Sequence, residues 1–284
     1  MRQIIKFKVK KVPSSNLKVK SNHKVQSSNL KVQSKESSNL KVQSKLKALL
    51  SSTYFGPIQW YQKLNRYDEC LIERHESFIK QTYRNRMIIP TTNGPLSLTI
   101  PTNHDISLSM KDIRISDHAN WRHVHWNALL SAYGESPFFE YYQDDIRPFY
   151  EKKYEFLFDF NMETTQKMIE LLDIRPKISI TEEYILSEER RVKSEETTFG
   201  GQGKSQFDSI ADHKVQSSNL KVQSKEVQSI VDFRDAIRPK KPLPDAEFVP
   251  KRYYQVYGQK HGFQPNMSIL DLLFNEGNEA IFYL

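Results

Sequence analysis

The chain has 284 residues, 38% of them hydrophobic and 12% aromatic, which is enough apolar surface for one sizeable core or two small ones. Its net charge of +8 would ordinarily suggest a nucleic-acid-binding protein. No apolar run approaches the roughly 20 residues of a membrane span, and a single cysteine, Cys70, excludes an internal disulfide framework and favours a reducing, cytoplasmic location.

The positive charge belongs to a repeated segment. The sequence HKVQSSNLKVQSKE stands at residues 23–36 and again at 213–226. Residues 1–47 contain twelve lysines, one arginine and one glutamate, and residues 213–229 contain three lysines and one glutamate. The rest of the chain is therefore net acidic, and no nucleic-acid partner is expected.

The repeats indicate passenger sequence rather than a repeat fold. A solenoid keeps a fixed period while its surface positions drift, whereas these copies are identical and irregularly spaced. Each unit has too few apolar residues to compensate for ordering its backbone. We expect 1–46 to be disordered and 47–284 to form one domain with a disordered insertion at about 190–229. The alternative is a basic arm that contacts RNA or an anionic membrane.

The domain opens with a predicted βαβ unit. A strand is expected at 47–55, a helix at 57–67 after the Gly56-Pro57 pair, and a second strand at 69–74. Further strands are predicted at 86–90, 96–101, 112–116 and 177–184, and helices at 119–133, 138–143, 148–158, 163–172 and 266–275. This order predicts an α/β fold with a mixed sheet and a helical middle section.

The segment KQTYRNRMII, residues 80–89, is a candidate anion site. Arg84 and Arg86 are two positions apart, so an extended chain would project both guanidinium groups to the same side. Each could hold a phosphate or carboxylate through two hydrogen bonds. Lys80 lies just upstream, and Tyr83 and Asn85 add a stacking surface and an amide. The alternative is a solvated strand edge with ordinary surface ion pairs.

Three histidines in eight residues, His118, His123 and His125, raise the question of a metal site. In a helix that begins near Ala119, the last two are about 200° apart and cannot bind one ion together, so no metal is expected. His125 follows Trp121 by one turn and is a candidate general base. The alternative is a core histidine that is hydrogen-bonded to backbone.

A second basic stretch, DFRDAIRPKK at residues 232–241, offers Arg234, Arg238 and Lys240 to anions, with a solvated surface as the alternative. The sequence contains no Walker loop, GxGxxG, GxSxG, HExxH or paired CxxC motif, so no cofactor is expected. The residues by themselves indicate an anion-binding α/β domain.

Three segments together resemble the bacterial WbqC-like family: residues 49–88, 120–142 and 253–277. Many members of that family have a His-Gln-Pro-containing turn after their first strand, where residues 52–57 of this chain read STYFGP. The residues that the resemblance assigns to the family's basic motif and to its Trp-xxx-His motif with the following tyrosine are Lys80, Tyr83, Arg84, Asn85, Arg86, Trp121, His125 and Tyr133.

The family name comes from surface-polysaccharide (O-antigen) gene clusters. The resemblance therefore implies a cytosolic enzyme that transfers an acyl, aminoacyl or similar group to a nucleotide-linked sugar. The basic motif would hold phosphate, Tyr83 or Trp121 would stack on a base or sugar, and His125 would be the base. The expected partner is thus a small anionic ligand. The alternative is a non-catalytic binding protein that scaffolds glycan or envelope assembly.

Overall fold

The computed structural model describes residues 46–103, 108–186 and 229–284. The repeats lie outside the described residues, and so does most of the predicted insertion. The helices and strands follow in the order β1 (Leu46–Ser51), α1 (Ile58–Arg66), β2 (Glu69–Glu73), β3 (Arg86–Thr91), β4 (Gly94–Thr99), β5 (Thr102–Asn103), β6 (Arg114–Ile115), α2 (Trp121–Tyr133), α3 (Phe139–Ile146), α4 (Pro148–Glu151), α5 (Leu157–Leu171), β7 (Ile178–Ile180), β8 (Ser229–Asp232), α6 (Gly258–His261) and α7 (Ile269–Glu276).

Four parallel strands form the main sheet, in the order β7-β2-β1-β8. Leu49 of β1 lies opposite Leu71 of β2 on one side and Asp232 of β8 on the other. The chain moves outward from β1 through β2 to β7 and then crosses to the far side of β1. The strand order therefore reverses between β1 and β8, and open parallel sheets bind ligands outside the carboxyl ends of their strands at such a point.

Helix α1 connects β1 to β2, and seven of its nine residues are buried, so it is covered on more than its sheet-facing side. The outer cover is the segment around Asp245 and Glu247. The fully buried Lys63 ammonium lies 3.0 Å from Asp245 Oδ1 and 3.0 Å from Glu247 Oε2. It also lies 4.4 Å from the centre of the Phe233 ring. These contacts fix the chain that follows β8 against the βαβ unit.

The predicted α/β fold, opened by a βαβ unit, is confirmed. Two antiparallel pairs, β3–β4 and β5–β6, stand beside the parallel sheet. One hydrophobic cluster, which includes Leu50, Trp60, Ile72 and Leu273, joins the sheet to α1 and α7. Within the described ranges, no helix is both long and apolar enough to cross a membrane.

The predicted helix at 148–158 is wrong in its extent. Helix α4 ends at Glu151 and α5 begins at Leu157, because the chain between them pairs with the β6 segment. Ile115 N donates to the Glu155 carbonyl, and Leu157 N donates to the Ile113 carbonyl, each at 2.9 Å. Long-range pairing therefore overrides the local helical pattern.

Candidate functional site

A polar cleft of about 150 Å³ lies beyond the carboxyl ends of β2 and β8. We name it the carboxyl-edge cleft. Its lining residues are Glu76, Ser77, Ile79, Arg84, Tyr184, Asp232, Arg234, Asp235 and Arg238. The arginines come from two segments far apart in sequence, the turn before β3 and the chain after β8. The parallel sheet brings these segments together at the point where its strand order reverses.

Arg84 anchors one wall of this cleft through a buried ion pair with Glu76. Its Nε and Nη2 donate to the two Glu76 carboxylate oxygens at 2.8 and 2.5 Å. Nη2 also donates to Ser51 Oγ at 2.8 Å, and this hydroxyl, on the last residue of β1, donates to Glu76 Oε2 at 3.1 Å. Because Arg84 is only 3% exposed, its guanidinium fixes the wall rather than reaching out to a ligand.

Arg234 anchors the opposite wall. Its Nε and Nη2 donate to the two oxygens of Asp232 at 3.0 and 2.6 Å, and Nη2 also donates to the Ile185 carbonyl at 2.8 Å. Nη1 is buried, lies 3.6 Å from Glu73 Oε2 and forms no hydrogen bond within the described residues. This wall therefore keeps an N–H group whose hydrogen-bonding capacity is unused.

Arg238 is the cleft arginine most open to a ligand. Its side chain is 26% exposed, against 3% for Arg84 and 6% for Arg234. It pairs with Asp235, three residues earlier in the turn that follows β8. Both side chains are partly exposed, so solvent weakens the pair and an anion can take the place of the carboxylate.

A narrow space of about 10 Å³ shares Arg84 and Arg234 with the cleft and is also lined by Thr53, Trp60 and Tyr83. This volume is about that of one water molecule. Thr53 Oγ1 is buried and has no hydrogen-bond partner among the described residues. A water molecule or a single ligand oxygen in this space would give the Thr53 hydroxyl a hydrogen-bond partner.

The first turn of α1 is already occupied. Ile58 N donates to the Met267 carbonyl at 3.1 Å, and Gln59 N donates to Asn266 Oδ1 at 2.9 Å. Asn266 adopts a left-handed backbone, with φ 55°, just before α7. Helix N-termini in βαβ units often bind phosphate through these N–H groups. Here the groups are used within the protein, so an anion at this edge must be held by arginine side chains.

The structure separates the two arginines of the predicted basic motif. Residues 80–85 form a turn, and only Arg86 belongs to β3. The prediction that Arg84 and Arg86 project from one side of an extended strand is therefore wrong. Arg86 Nε donates to Thr99 Oγ1 across the β3–β4 hairpin at 2.9 Å, and Arg86 does not line the carboxyl-edge cleft.

The other residues of that motif also take different positions. Tyr83 is buried and joins Arg84 in lining the inner space. Lys80 is exposed in the turn. The Asn85 amide donates to the Ile100 carbonyl at 3.0 Å and fixes the turn to the end of the hairpin. Of the five predicted residues, the structure brings only Tyr83 and Arg84 to the carboxyl edge.

His125 and Trp121 lie together in an aromatic interior. His125 is 4% exposed, and its Nδ1 lies 2.9 Å from Tyr54 Oη, which in turn lies 2.9 Å from Tyr150 Oη. The Trp121 ring contacts the imidazole edge-on, with centroids 5.2 Å apart. Burial lowers the pKa of His125 to about 4, although the Thr99 backbone accepts a hydrogen bond from it. His125 is therefore neutral at pH 7, and its role as a base stays a prediction.

Tyr133 lies in a separate buried cluster around Asp271 of α7. The fully buried Asp271 carboxylate accepts hydrogen bonds from the Tyr253 hydroxyl and, at 2.7 Å, from Gln255 Nε2. Burial raises the pKa of Asp271 to about 6, and burial with the nearby carboxylate raises the pKa of Tyr133. This cluster ties the C-terminal segment to α2 and lies apart from the carboxyl-edge cleft.

Sequence reasoning missed Ser51, Glu76 and Asp232 as site residues. Ser51 and Asp232 end parallel strands, and Glu76 follows the end of β2 by three residues. The signal available was their position, because parallel sheets present site residues from the carboxyl ends of their strands. The strand that ends at Asp232 was not predicted. Across the described ranges, no group of three histidine, cysteine or acidic side chains could hold a metal ion.

Comparisons with known proteins identify a family. The model described as "WbqC-like protein family" matches residues 51–200 and 243–283. The chain is also similar to Rv1507c, an uncharacterized protein of Mycobacterium tuberculosis, with 27% identity over 246 residues that cover 84% of this chain and 97% of the relative. No solved structure matches the chain. The family match includes Glu76 and Arg84, whereas Arg234 and Arg238 lie between its two stretches.

Proposed function

The chain belongs to the WbqC-like protein family, and on that basis we propose that it is a cytosolic enzyme that binds a nucleotide-linked sugar in the carboxyl-edge cleft and transfers a group to it in surface-polysaccharide biosynthesis. The observation that carries the proposal is the convergence of Arg84, Arg234 and Arg238 on one cleft at the reversal of strand order. Guanidinium groups bind phosphate oxygens through parallel pairs of hydrogen bonds.

A pyrophosphate fits the unused capacity of the cleft. Arg238 is the most exposed of the three arginines and can turn from Asp235 to a phosphate. Arg234 contributes positive charge from a fixed position, because Asp232 accepts from its Nε and Nη2. Arg84 contributes positive charge from a fixed position because Glu76 holds it on two sides. The partly exposed Tyr184 ring also lines the cleft and offers a flat surface to a base or sugar.

Acyl or aminoacyl transfer is the proposed reaction class. The amine of an amino sugar attacks the carbonyl carbon of an activated ester or thioester, an N–C bond forms, and the bond to the carrier breaks. The amine loses one proton and the leaving oxygen or sulfur takes one up. Carboxylates of Asp232 and Asp235 line the cleft where such a proton is released, whereas His125 lies in the aromatic interior. Catalysis by His125 would need that interior to open.

The test is calorimetric titration of the full chain with a panel of uridine and thymidine diphosphate sugars. Arg238→Ala should weaken binding about tenfold or more, the loss expected for one charge-assisted phosphate contact. Arg86→Ala is the matched control, because this arginine lies outside the cleft on the β3–β4 hairpin, and its affinity should match the wild type. Equal affinities for wild type and Arg238→Ala would refute the assignment.

One observation favours a second function, a non-catalytic protein that binds a glycan precursor during envelope assembly. The cleft carboxylates Glu76 and Asp232 each accept two hydrogen bonds from one arginine, and Asp235 is paired with Arg238. The oxygens of these carboxylates are therefore engaged within the protein rather than directed at a substrate. Binding without turnover of any amino-sugar nucleotide, with acyl and aminoacyl donors present, would support this alternative.

A further inference from the structure

A second cleft, of about 330 Å³, lies where α2 begins and is separate from the site described above. We name it the α2 cleft. Residues that line it include Arg122, Trp126, Arg147, Tyr150, Glu151 and Lys153. Its volume falls within the range of about 300–1,000 Å³ that is typical of small-molecule sites. The two residues before α2, Ala119 and Asn120, both have left-handed backbones, with φ 65° and 43°. Residues with strained backbone dihedral angles occur frequently at ligand-binding sites.

One wall of the α2 cleft is aromatic. The rings of Trp126 and Tyr150 lie 5.8 Å apart at an interplanar angle of 38°. Trp126 is half-buried, so part of its ring faces the cleft. A flat aromatic surface beside polar groups suits a ligand ring with one apolar face and hydroxyl groups at its edge.

The Tyr150 side chain is held in place by a buried chain of polar groups. Its hydroxyl lies 2.9 Å from the Tyr54 hydroxyl, which lies 2.9 Å from His125 Nδ1. These contacts fix the Tyr150 ring as part of the aromatic wall of the α2 cleft.

The rim of the α2 cleft carries more cations than anions. Arg122 Nη1 and Lys153 Nζ both contact Asp117, at 2.5 and 3.1 Å, and Arg147 contacts Glu151 at 2.6 Å. Three cations therefore share two carboxylates. Nε and Nη2 of Arg122 are buried and have no hydrogen-bond partner within the described ranges. The electrostatics favour an anionic ligand.

We propose that the α2 cleft binds a sugar acid, a pyranose ring that carries a carboxylate. The ring lies against Trp126, and the carboxylate binds Lys153 and Arg147 at the exposed rim. Phosphate would satisfy the cations but not the aromatic wall, and a neutral hexose would satisfy the wall but not the cations. The proposal does not depend on the function proposed for the carboxyl-edge cleft.

The test is saturation-transfer NMR and titration of the full chain with glucuronate, galacturonate and N-acetylneuraminate. Two control probes each lack one feature: glucose has the ring without the charge, and inorganic phosphate has the charge without the ring. At least one sugar acid should bind, and glucose and phosphate should bind about tenfold more weakly or not at all. The double variant Arg147→Gln/Lys153→Gln should lose about tenfold in affinity for the sugar acid. Both side chains are more than half exposed, so its folding should be unaffected.

Trp126→Phe should lower the affinity for the same sugar acid. A thermal melt of the variant will distinguish lost binding from lost folding. Tyr141→Ala and Arg175→Gln are matched controls, since both residues are exposed and lie outside the cleft; neither should change the affinity. The proposal is overturned if no sugar acid binds, if glucose or phosphate binds as tightly, or if the double variant binds as the wild type does.

Discussion

Arg84 and Glu76 form a buried ion pair that joins the turn before β3 to the chain leaving β2, with two guanidinium nitrogens on two carboxylate oxygens. Ser51 closes the arrangement from the end of β1. The pair thus holds together three segments that meet at the carboxyl edge of the sheet. The pair fixes the shape of the cleft, whereas the positive charge that a ligand can reach comes from Arg238.

Arg84→Ala should destabilise the domain by about 3–5 kcal/mol, because removing one partner leaves the Glu76 charge buried and uncompensated. Urea unfolding followed by circular dichroism measures the change. Arg147→Ala is the control: its pair with Glu151 is exposed on both sides, and such pairs contribute about 0–1 kcal/mol. Similar losses for the two variants would show that the buried pair does not hold the edge together.

His125 should make stability fall as the pH is lowered. Its pKa is about 4 in the folded chain and about 6.5 when unfolded, so the unfolded chain binds a proton first. The contribution of the neutral imidazole to the free energy of unfolding is complete above pH 6.5. About 3 kcal/mol of it is lost as the pH falls toward 4. The stability difference between wild type and His125→Gln, measured by urea unfolding from pH 7 to 4, should shrink as the pH falls. A constant difference would contradict a buried neutral imidazole.

Asp271 should have the opposite effect. Its pKa is about 6 in the folded chain and about 3.9 when unfolded, so the folded chain holds the proton longer. Its stability contribution is complete below pH 3.9 and is lost as the pH rises through 6, by about 3 kcal/mol. The free energy of unfolding of Asp271→Asn, measured by urea unfolding, should therefore rise relative to that of the wild type between pH 4 and 7. A difference in unfolding free energy that does not change with pH would show that the carboxyl group titrates normally.

Much of the fold could be predicted from the sequence because its signals are local. The Gly56-Pro57 pair and the apolar spacing that follows it mark α1 and its flanking strands, and all three are present. The segment 155–157 could not be predicted in this way. It takes an extended path through backbone pairing with Ile113 and Ile115, about 40 residues earlier in the chain.

The candidate site was harder to predict than the fold because it depends on which segments meet. Arg84 was singled out with Arg86 on the assumption of an extended strand, yet its turn directs it to Glu76. Arg234 and Arg238 appeared only as a basic stretch in the sequence. No local pattern relates them to Arg84, since the crossover that places β8 beside β1 is a property of the sheet.

Removal of the repeats should leave the domain intact. A variant without residues 1–45 and 201–228 loses most of the lysine-rich segments and becomes net acidic. Its melting temperature should stay within about 2–4 °C of the full chain, the shift that about 1 kcal/mol produces at this size. Any salt-dependent affinity for RNA that the lysines confer should disappear with them. A variant that unfolds, or that folds but no longer binds the ligand of the full chain, would show that the repeats belong to the working protein.

A crystal structure of the protein soaked with a panel of nucleotide sugars would show whether the carboxyl-edge cleft holds the phosphates of a nucleotide-linked sugar. We expect a pyrophosphate with oxygens about 2.7–2.9 Å from the guanidinium nitrogens of Arg238. A nucleotide sugar bound elsewhere on the protein, with Arg238 still paired to Asp235, would contradict it.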